Sequence, residues 1–136
     1  MIVANYRPTI GWVEGLLKTK FSSEVSSLAQ IDRTGKRFIA AVVYDNFTGT
    51  SIVANIVIGG AMNKRFLHDI FDYPFNQLRV NQILGYVNSS NTKAIRLNEK
   101  LGFVSVAVIP GVYRDGDMII YSMSRSDCRL LEKNDG

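Results

Sequence analysis

The sequence predicts a mixed α/β fold with one central sheet, on the strength of three observations. A strand, a polar turn, a helix and a glycine stop follow one another between Gln82 and Phe103. Three short apolar runs separated by turn residues lie in the first half, and two more lie near the end. This order predicts an antiparallel meander, a parallel β-α-β centre with splayed strands and a closing hairpin, in a three-layer fold with about six or seven strands.

The central stretch, residues 82–103, is the best defined part of the chain. Its apolar run, residues 83–87, is rich in strand formers and ends at a polar turn. Ser89, Ser90 or Asn91 can cap a helix over residues 92–101, whose apolar positions would face a sheet. Gly102 ends that helix, because glycine adopts the left-handed conformation without steric strain.

The first half predicts a short strand over residues 1–8 and a helix over residues 9–21 that is capped by Thr9. Three strands then follow in quick succession, over residues 28–33, 37–45 and 51–58. Glycine-containing turns separate these strands, which is typical of hairpins.

The second half predicts a long amphipathic helix over residues 62–78. Pro74 cannot donate a backbone hydrogen bond, so we expect a kink or break near residues 70–73. Two strands, residues 104–109 and 118–123, should flank a loop over residues 110–117. The polar end, residues 128–136, should fray.

Length and composition favour an ordinary globular protein. The 136 residues fit a single domain over residues 1–136, and 46% apolar with 21% charged residues argues against disorder. One cysteine, Cys128, excludes an internal disulfide and fits a reducing compartment. No signal-peptide pattern and no membrane-length apolar run is visible, so we expect a cytoplasmic protein.

An anion site is predicted where the third apolar run meets Gly59 and Gly60. Small residues before a helix let a phosphate approach unpaired backbone N–H groups at the positive end of the helix dipole. Lys64 and Arg65 add positive charge nearby. A tight turn without a ligand is the alternative, and it is the commoner explanation of a glycine pair taken alone.

Three segments resemble the GNAT superfamily of acetyl-CoA-dependent N-acyltransferases. Residues 91–103, NTKAIRLNEKLGF, resemble the motif that marks the helix beside the cofactor thiol. Residues 66–78, FLHDIFDYPFNQL, resemble a helix of the ribosomal-protein N-terminal acetyltransferase branch. Residues 121–131, YSMSRSDCRLL, are similar to the end of compact acetyltransferases encoded by bacteriophages. The resemblance covers residues 51–131, and residues 1–50 match only in the order of elements.

The resemblance implies where acetyl-CoA would bind. The strands at residues 52–58 and 83–87 would splay apart to admit the pantetheine arm, and the amide of Ile58 would polarise the thioester carbonyl. The turn after Gly59 would hold the pyrophosphate. The implied cofactor-binding residues are Val57, Ile58, Gly59, Gly60, Ala61, Met62, Asn63, Lys64, Asn91 and Asn98.

Two side chains are candidates for catalysis beside the Ile58 backbone. Asn98 stands where the family often has a tyrosine that protonates the departing thiolate, and its carboxamide can bond the sulfur but cannot act as a general acid. Tyr86 borders the implied cleft, with a packing role as the alternative. Asn55 is neutral, so no general base is predicted.

The remaining titratable residues predict no further site. His68 should be solvated on the polar face of its helix, and Cys128 lacks a histidine partner for a nucleophilic role. Lys93, Arg96 and Lys100 should form a solvated helix face from which one could reach the 3′-phosphate of the cofactor. One histidine, one cysteine and scattered carboxylates predict no metal site.

The leading hypothesis is an acetyl-CoA-dependent N-acetyltransferase that acts on a primary amine by direct attack within a ternary complex. The sequence does not decide whether the acceptor is a small molecule or a protein. It also does not decide whether the protein forms a homodimer, or whether it functions in a bacterium or in the cytoplasm of a phage-infected host. A non-catalytic GNAT-fold protein that binds an acyl-CoA or a partner is the alternative. A nucleic-acid-binding domain ranks last, because the net charge of +4 is not gathered into a basic stripe with aromatics, and no membrane partner is expected.

Overall fold

The computed structural model describes residues 1–22 and 24–131, which form a mixed sheet with helices packed on both faces. The longer helices are α1 (Pro8–Leu17), α2 (Lys64–Asp72) and α3 (Thr92–Leu101), and short helical segments lie at Tyr73–Gln77 and Arg125–Asp127. The strands are β1 (Ile2–Ala4), β2 (Ser26–Ile31), β3 (Phe38–Asp45), β4 (Ser51–Ile58), β5 (Gln82–Asn88), β6 (Val104–Tyr113) and β7 (Gly116–Ser124).

All seven strands belong to one sheet with the order β1-β2-β3-β4-β5-β7-β6. Strands β4 and β5 are parallel, and every other pair of neighbours is antiparallel. The predicted mixed sheet, with its antiparallel meander, β-α-β centre and final hairpin, is therefore confirmed.

The sheet carries a separate apolar cluster on each face, which makes the three layers. On one face, Val13 of α1 packs with Ala41 and Val43 of β3 and with residues of β2. On the other face, Phe66 and Phe71 of α2 belong to a larger cluster that also receives α3. Side chains alternate along each strand, so neighbouring residues of β3 and β4 serve different clusters.

Helix α1 differs from its prediction at both ends. It begins at Pro8, whose fixed φ and missing N–H suit the first helical position, and Thr9 is inside the helix instead of capping it. Arg7 occupies the cap position and makes no side-chain cap hydrogen bond. The helix ends at Leu17 because Lys18 takes the left-handed conformation with φ 54°.

The long amphipathic helix does not break at Pro74 but changes its winding. Helix α2 is followed directly by a π-helical segment, Tyr73–Gln77. The N–H of Leu78 donates to the carbonyl of Tyr73, and the wider turn accommodates the proline ring inside a continuous helical path. The kink or break predicted near residues 70–73 is instead a change of helical winding that starts at Tyr73.

The predicted loop over residues 110–117 is wrong. Strands β6 and β7 extend through most of it and leave a short turn at residues 114–115. Pro110 fits inside β6 because β6 is the edge of the sheet, where a missing N–H need not break a ladder. Gly111, with φ 67°, absorbs the accompanying register shift.

The predicted frayed end, residues 128–136, is wrong for its first part. Cys128 and Leu131 are buried in the larger cluster beside Phe103 and Met123. Residues 132–136 lie outside the described part of the chain. Across the residues that are described, no helix is both long and apolar enough to cross a bilayer.

A buried hydroxyl in α1 gives the first testable prediction. Thr9 is fully buried, and its Oγ1 has no hydrogen-bond partner among the described residues. An unpaired buried hydroxyl is destabilising, so Thr9→Val should raise the free energy of unfolding by about 1 kcal/mol. Urea denaturation of the two proteins measures this change, and Thr9→Ala is the control that removes the methyl group as well. A Thr9→Val variant less stable than the parent would show that the hydroxyl is bonded.

Candidate active site

The central feature of the site is the point where β4 and β5 separate. The two strands pair only at Ser51–Gln82, Ile52–Ile83 and Val53–Leu84. Beyond Val53, β4 continues to Ile58 beside β3, and beyond Leu84, β5 continues to Asn88 beside β7. A wedge-shaped opening, which we call the gap, therefore lies between residues 54–58 and 85–88.

The register of β4 decides which of its backbone groups face the gap. The N–H of Gly59 donates to the carbonyl of Ile39 at 2.7 Å, so that residue points toward β3. Backbone groups alternate along an antiparallel ladder, which directs Val57 toward β3 and Ile56 and Ile58 toward the gap. The carbonyl of Ala54 lies about 4 Å from the position that a Cβ on Gly85 would occupy. The Ala54 backbone therefore also faces the gap, as this alternation requires.

This alternation bears on the backbone contacts predicted for Val57 and Ile58. The amide of Ile58 faces the gap, whereas the backbone of Val57 faces β3 and its side chain packs in the cluster under α1. The backbone of Ile56, which the sequence did not single out, also faces the gap. The sequence does not indicate which residues of β4 direct their backbone groups toward β3, because its apolar pattern is the same for either choice.

The turn between β4 and α2 is held at both ends. Gly59 is bonded to β3, and the N–H of Asn63 donates to the Oε1 of the buried Gln30 at 3.0 Å. The side chain of Asn63 accepts from the N–H of Phe66 at 2.7 Å and so caps α2. Gly60 and Ala61 between these anchors are exposed. A turn fixed in this way can present its amides without further ordering.

The charges at the start of α2 run against the helix dipole. Lys64 and Arg65 occupy its first turn, and no acidic residue is there. Positive side chains at a helix N-terminus are unfavourable unless an anion is bound nearby. Arg65 also pairs with Asp69 at 3.3 Å, with 78% of its side chain exposed. The first turn thus combines backbone N–H groups, which lack intrahelical partners by geometry, with two cations.

Helix α3 borders the gap from the face that also carries α2. The side chain of Asn91 accepts from the N–H of Ala94 at 3.1 Å, which makes Asn91 the cap of the helix. Gly102 ends it with φ 106°, as predicted. The side-chain oxygen of Asn91 is therefore engaged in capping α3 at the end of the helix nearest β5.

Asn98 lies at the closed end of the gap. A Cβ added to Gly85 would meet the Oδ1 of Asn98 at 3.2 Å, so that oxygen rests directly on the β5 backbone. The Nδ2 of Asn98 donates to the carbonyl of Ala94 at 2.8 Å. The carboxamide is thus fixed beside the first unpaired residues of both strands. Gly85 was not predicted as part of the site, although only glycine leaves this space.

Tyr86 and Asn55 lie on the opposite face of the sheet, across the gap from each other. Gly85 and Val87 lie on the face of β5 that packs against α2 and α3. Because side chains alternate between the two faces of a strand, Tyr86 lies on the other face, where its side chain is exposed. Asn55 donates through Nδ2 to the carbonyl of Val43 at 3.0 Å and to the carboxylate of Asp45 at 3.2 Å. The gap is therefore bordered on one face of the sheet by Asn98 and on the other by Asn55 and Tyr86.

The remaining predicted residues lie as follows. His68 is partly buried in α2, with its Nδ1 3.6 Å from the carboxylate of Asp69. Lys93, Arg96 and Lys100 are exposed on α3. Within residues 1–22 and 24–131, no group of three or more histidine, cysteine and carboxylate side chains is arranged to hold a metal ion.

The arrangement of elements is the GNAT fold, which solved structures of spermidine N-acetyltransferases also have. A point mutant of the spermidine N-acetyltransferase SpeG from Vibrio cholerae matches with a TM-score of 0.72 at 17% sequence identity, over 98% of this chain and 99% of that chain. A chimera of the Vibrio cholerae enzyme and hSSAT gives 0.70 at 19% identity, over 96% and 98%. The SpeG structure with manganese ions gives 0.71 at 18% identity, over 98% and 95%.

Comparisons of the sequence alone find no relative. No protein-family model matches the chain, and no curated protein matches it either. At identities of 17–19%, the structural likeness establishes the fold and leaves substrate and activity to be argued from the site.

The contact between Gly85 and Asn98 gives the second prediction. Gly85→Ala would place a methyl group 3.2 Å from the Oδ1 of Asn98, so the carboxamide must move and its bond to Ala94 must weaken. We expect a loss of about 1 kcal/mol in the free energy of unfolding. In an Asn98→Ala background, the same change should be neutral, which gives a coupling energy above about 0.5 kcal/mol in a double-mutant cycle measured by urea denaturation. Equal losses in both backgrounds would show that Asn98 does not occupy this space.

Proposed function

We propose that this protein is an acetyl-CoA-dependent N-acetyltransferase that acetylates a primary amine. The observation that carries the proposal is the loss of β4–β5 pairing after Val53 and Leu84. Strand backbone groups that face an open wedge can pair with an extended amide-containing chain, as a further strand would. The pantetheine arm of coenzyme A is such a chain.

The residues around the gap fit the other parts of acetyl-CoA. The backbones of Ile56 and Ile58 would hold the arm, and the anchored turn with the first turn of α2 would receive the pyrophosphate. The predicted contributors from that turn are Gly59, Gly60, Ala61, Met62, Asn63 and Lys64. Of these, Gly59 and Asn63 have their N–H groups bonded within the protein, so they shape the turn while Gly60, Ala61 and Lys64 face the anion.

The bound thioester supplies an activated acetyl group, and the protein supplies position. The amide of Ile56, which faces the gap at the end near Asn98, would stabilise the oxyanion that develops when an amine attacks the carbonyl carbon. The amide of Ile58, the donor implied by the resemblance, lies four residues beyond Ala54 toward the turn, so it would hold the arm instead. Asn98 at the closed end would bond the sulfur or the last amide of the arm. Because a thiol has a pKa of about 8.5, the departing group can take its proton without a dedicated acid, so a carboxamide suffices there.

The acceptor belongs to the class of primary amines. The solved structures with this fold include spermidine and spermine N-acetyltransferases, which favours a small cationic amine as the first candidate. The single cysteine is compatible with a cytoplasmic location, in a bacterium or in a phage-infected host.

The proposal is tested in two stages on the purified full-length chain. Acetyl-CoA should raise the unfolding temperature with the concentration dependence of single-site binding. A panel of spermidine, a lysine peptide and a peptide N-terminus should then give amine-dependent release of free thiol. Stabilisation without thiol release from any amine would favour the non-catalytic binder, and no stabilisation at millimolar acetyl-CoA would contradict both.

The charge conflict at the start of α2 yields the third prediction, in which stability and binding change in opposite directions. Lys64→Glu should raise the free energy of unfolding of the ligand-free protein by about 0.3–1 kcal/mol, because an acidic side chain suits a helix N-terminus. The same variant should bind acetyl-CoA at least about tenfold more weakly, since the pyrophosphate loses a cation.

Thermal unfolding with and without acetyl-CoA measures both effects for Lys64→Glu. Lys20→Glu, at an exposed position between α1 and β2, is the matched control and should leave binding unchanged. A Lys64→Glu variant that binds acetyl-CoA as the parent does would place the pyrophosphate elsewhere.

We also propose that the protein forms a homodimer through β6. This edge strand has no charged residue from Val104 to Tyr113, and Val104, Val106 and Val108 are 58%, 60% and 55% exposed. Edge strands of monomeric proteins normally carry charge or are covered. A second β6, running antiparallel about a two-fold axis, offers the same uncharged surface and brings no like charges together in a chain with net charge +4.

The dimer gives the fourth prediction. Val108→Lys should convert the dimer to a monomer in sedimentation velocity, because two copies would bring lysines together at the edge. The monomeric variant should stay folded, since the side chain is exposed on the single chain, and its unfolding temperature should fall only by the stabilisation that association gives the parent. Val108→Thr, which keeps the strand uncharged, should remain dimeric. A parent chain that sediments as a monomer at high micromolar concentration would contradict this proposal.

A further inference from the structure

We propose that the Asp45 carboxylate binds the ammonium group of the acceptor and takes its proton before the amine attacks. This inference rests on the proposed function and assigns a residue to the proton transfer that the sequence left without a base. Asp45 was predicted only as the last residue of a strand.

The position of Asp45 follows from the ladder between β3 and β4. Asp45 pairs with Val53, which is the last β4 residue that is also paired with β5. It therefore lies at the level where the gap begins. Its side chain points to the same face as that of Asn55, since the Asn55 Nδ2 reaches its Oδ1 at 3.2 Å. Asn55 itself stands between Ala54 and Ile56, whose backbones face the gap.

The carboxylate lies on the face from which an amine can approach. Asn98 and α3 close the gap from the face of the sheet on which α2 packs with its residue Phe71. On the face with Asp45, Asn55 and Tyr86, helix α1 packs mainly on β2, β3 and β4, and the side chain of Tyr86 on β5 is exposed. An amine entering here would meet the thioester carbonyl from the side opposite Asn98.

The environment of Asp45 is that of a charge without a partner. It is half-buried, and no lysine, arginine or histidine nitrogen lies within 4 Å of it in the described part of the chain. Burial raises the pKa of its carboxyl, and the hydrogen bond from Asn55 offsets part of that rise. A partly desolvated carboxylate without a countercharge attracts a cation from solution more strongly than an exposed one does.

Other carboxylates with hydrogen-bond partners differ from Asp45. The exposed Asp32 is bonded by Thr34 and turn amides, which lower its pKa. The exposed Asp115 is bonded by Asn88 and Ser90, which lower its pKa in the same way. Asp69 has Arg65 beside it. Of these four carboxylates, Asp45 is the one whose surroundings favour a proton or a cation.

The reaction balances with Asp45 as the first proton acceptor. The ammonium gives one proton to the carboxylate, and the neutral amine nitrogen forms a bond to the thioester carbonyl carbon. The carbon–sulfur bond breaks, and the second proton on nitrogen passes to the departing sulfur. The products are the acetylated amine, the thiol of coenzyme A and one proton, which Asp45 returns to solvent.

The test compares Asp45→Asn with a matched loss of charge elsewhere. Asp69→Asn removes one negative charge from α2, on the opposite face of the sheet, together with the contacts of Asp69 with Arg65 and His68. Each variant is assayed for thiol release with the amine of the panel that the parent uses best, and for stabilisation by acetyl-CoA. Asp45→Glu, which restores a carboxylate one methylene further out, is the rescue variant.

Asp45→Asn should lower kcat/KM for the amine by at least about tenfold, in the range of general base catalysis. Its stabilisation by acetyl-CoA and its unfolding temperature should not fall, because a carboxyl with a raised pKa is destabilising when ionised in the folded state. Asp69→Asn should match the parent, and Asp45→Glu should recover part of the rate.

Two results would overturn the inference. One is an Asp45→Asn variant within twofold of the parent in kcat/KM. The other is an Asp45→Asn variant that loses acetyl-CoA binding or folding in proportion to its rate, which would make Asp45 a structural residue. A parent protein without amine-dependent thiol release would instead fail the proposed function, and the two failures are therefore distinct.

Discussion

The structure depends on the point at which the parallel pairing of β4 and β5 stops. Three paired positions, ending at Val53 and Leu84, hold the two halves of the sheet together, and the strands then follow different neighbours. Strand backbones left without a ladder inside a folded protein need other partners. The gap therefore leaves a row of donors and acceptors on Ile56 and Ile58 that an extended ligand can satisfy. Every other part of the candidate site is placed relative to this row.

Two elements on either side of the gap are fixed in advance of any ligand. The turn before α2 is tied to β3 through Gly59 and to β2 through Gln30 and Asn63. At the closed end, Asn98 rests on Gly85 and is bonded to its own helix. Sites of this kind bind with less loss of conformational freedom, since the protein groups are already ordered. The cations at the start of α2 are the exception, because they oppose the helix dipole until an anion is bound.

Local sequence signals predicted the elements that end in strong caps or turns. Strand β4 and helix α3 have the bounds expected from the sequence, because a glycine pair follows the first and because Asn91 and Gly102 cap the second. The fold class followed from the order of such elements. The wrong predictions concern residues whose local sequence favours a loop or a frayed end but whose position in the fold places them in a strand or in the core. Pro110 was expected in a loop, yet it lies in a strand because that strand is an edge. Leu131 was expected in a frayed tail, yet it completes the core.

The candidate site was predictable only in outline. The turn at Gly60 and the helix with Asn98 carry recognisable residue patterns, and both border the gap. The choice of Ile56 over Val57, the packing of Gly85 under Asn98 and the place of Asp45 beside Asn55 depend on strand register. Register is a property of pairs of strands. A slip of one residue would turn each of these groups to the other side of its strand, and the sequence of each strand would be unchanged.

The proposed activity and the role proposed for Asp45 both require that the pantetheine arm of coenzyme A binds in the gap. A crystal structure of the protein grown or soaked with coenzyme A would show whether it does. We expect an extended arm between residues 54–58 and 85–88, bonded to the backbones of Ile56 and Ile58, with its thiol near Asn98 and its pyrophosphate at the start of α2. Coenzyme A bound at another surface, with the gap closed by pairing of β4 to β5, would contradict this expectation.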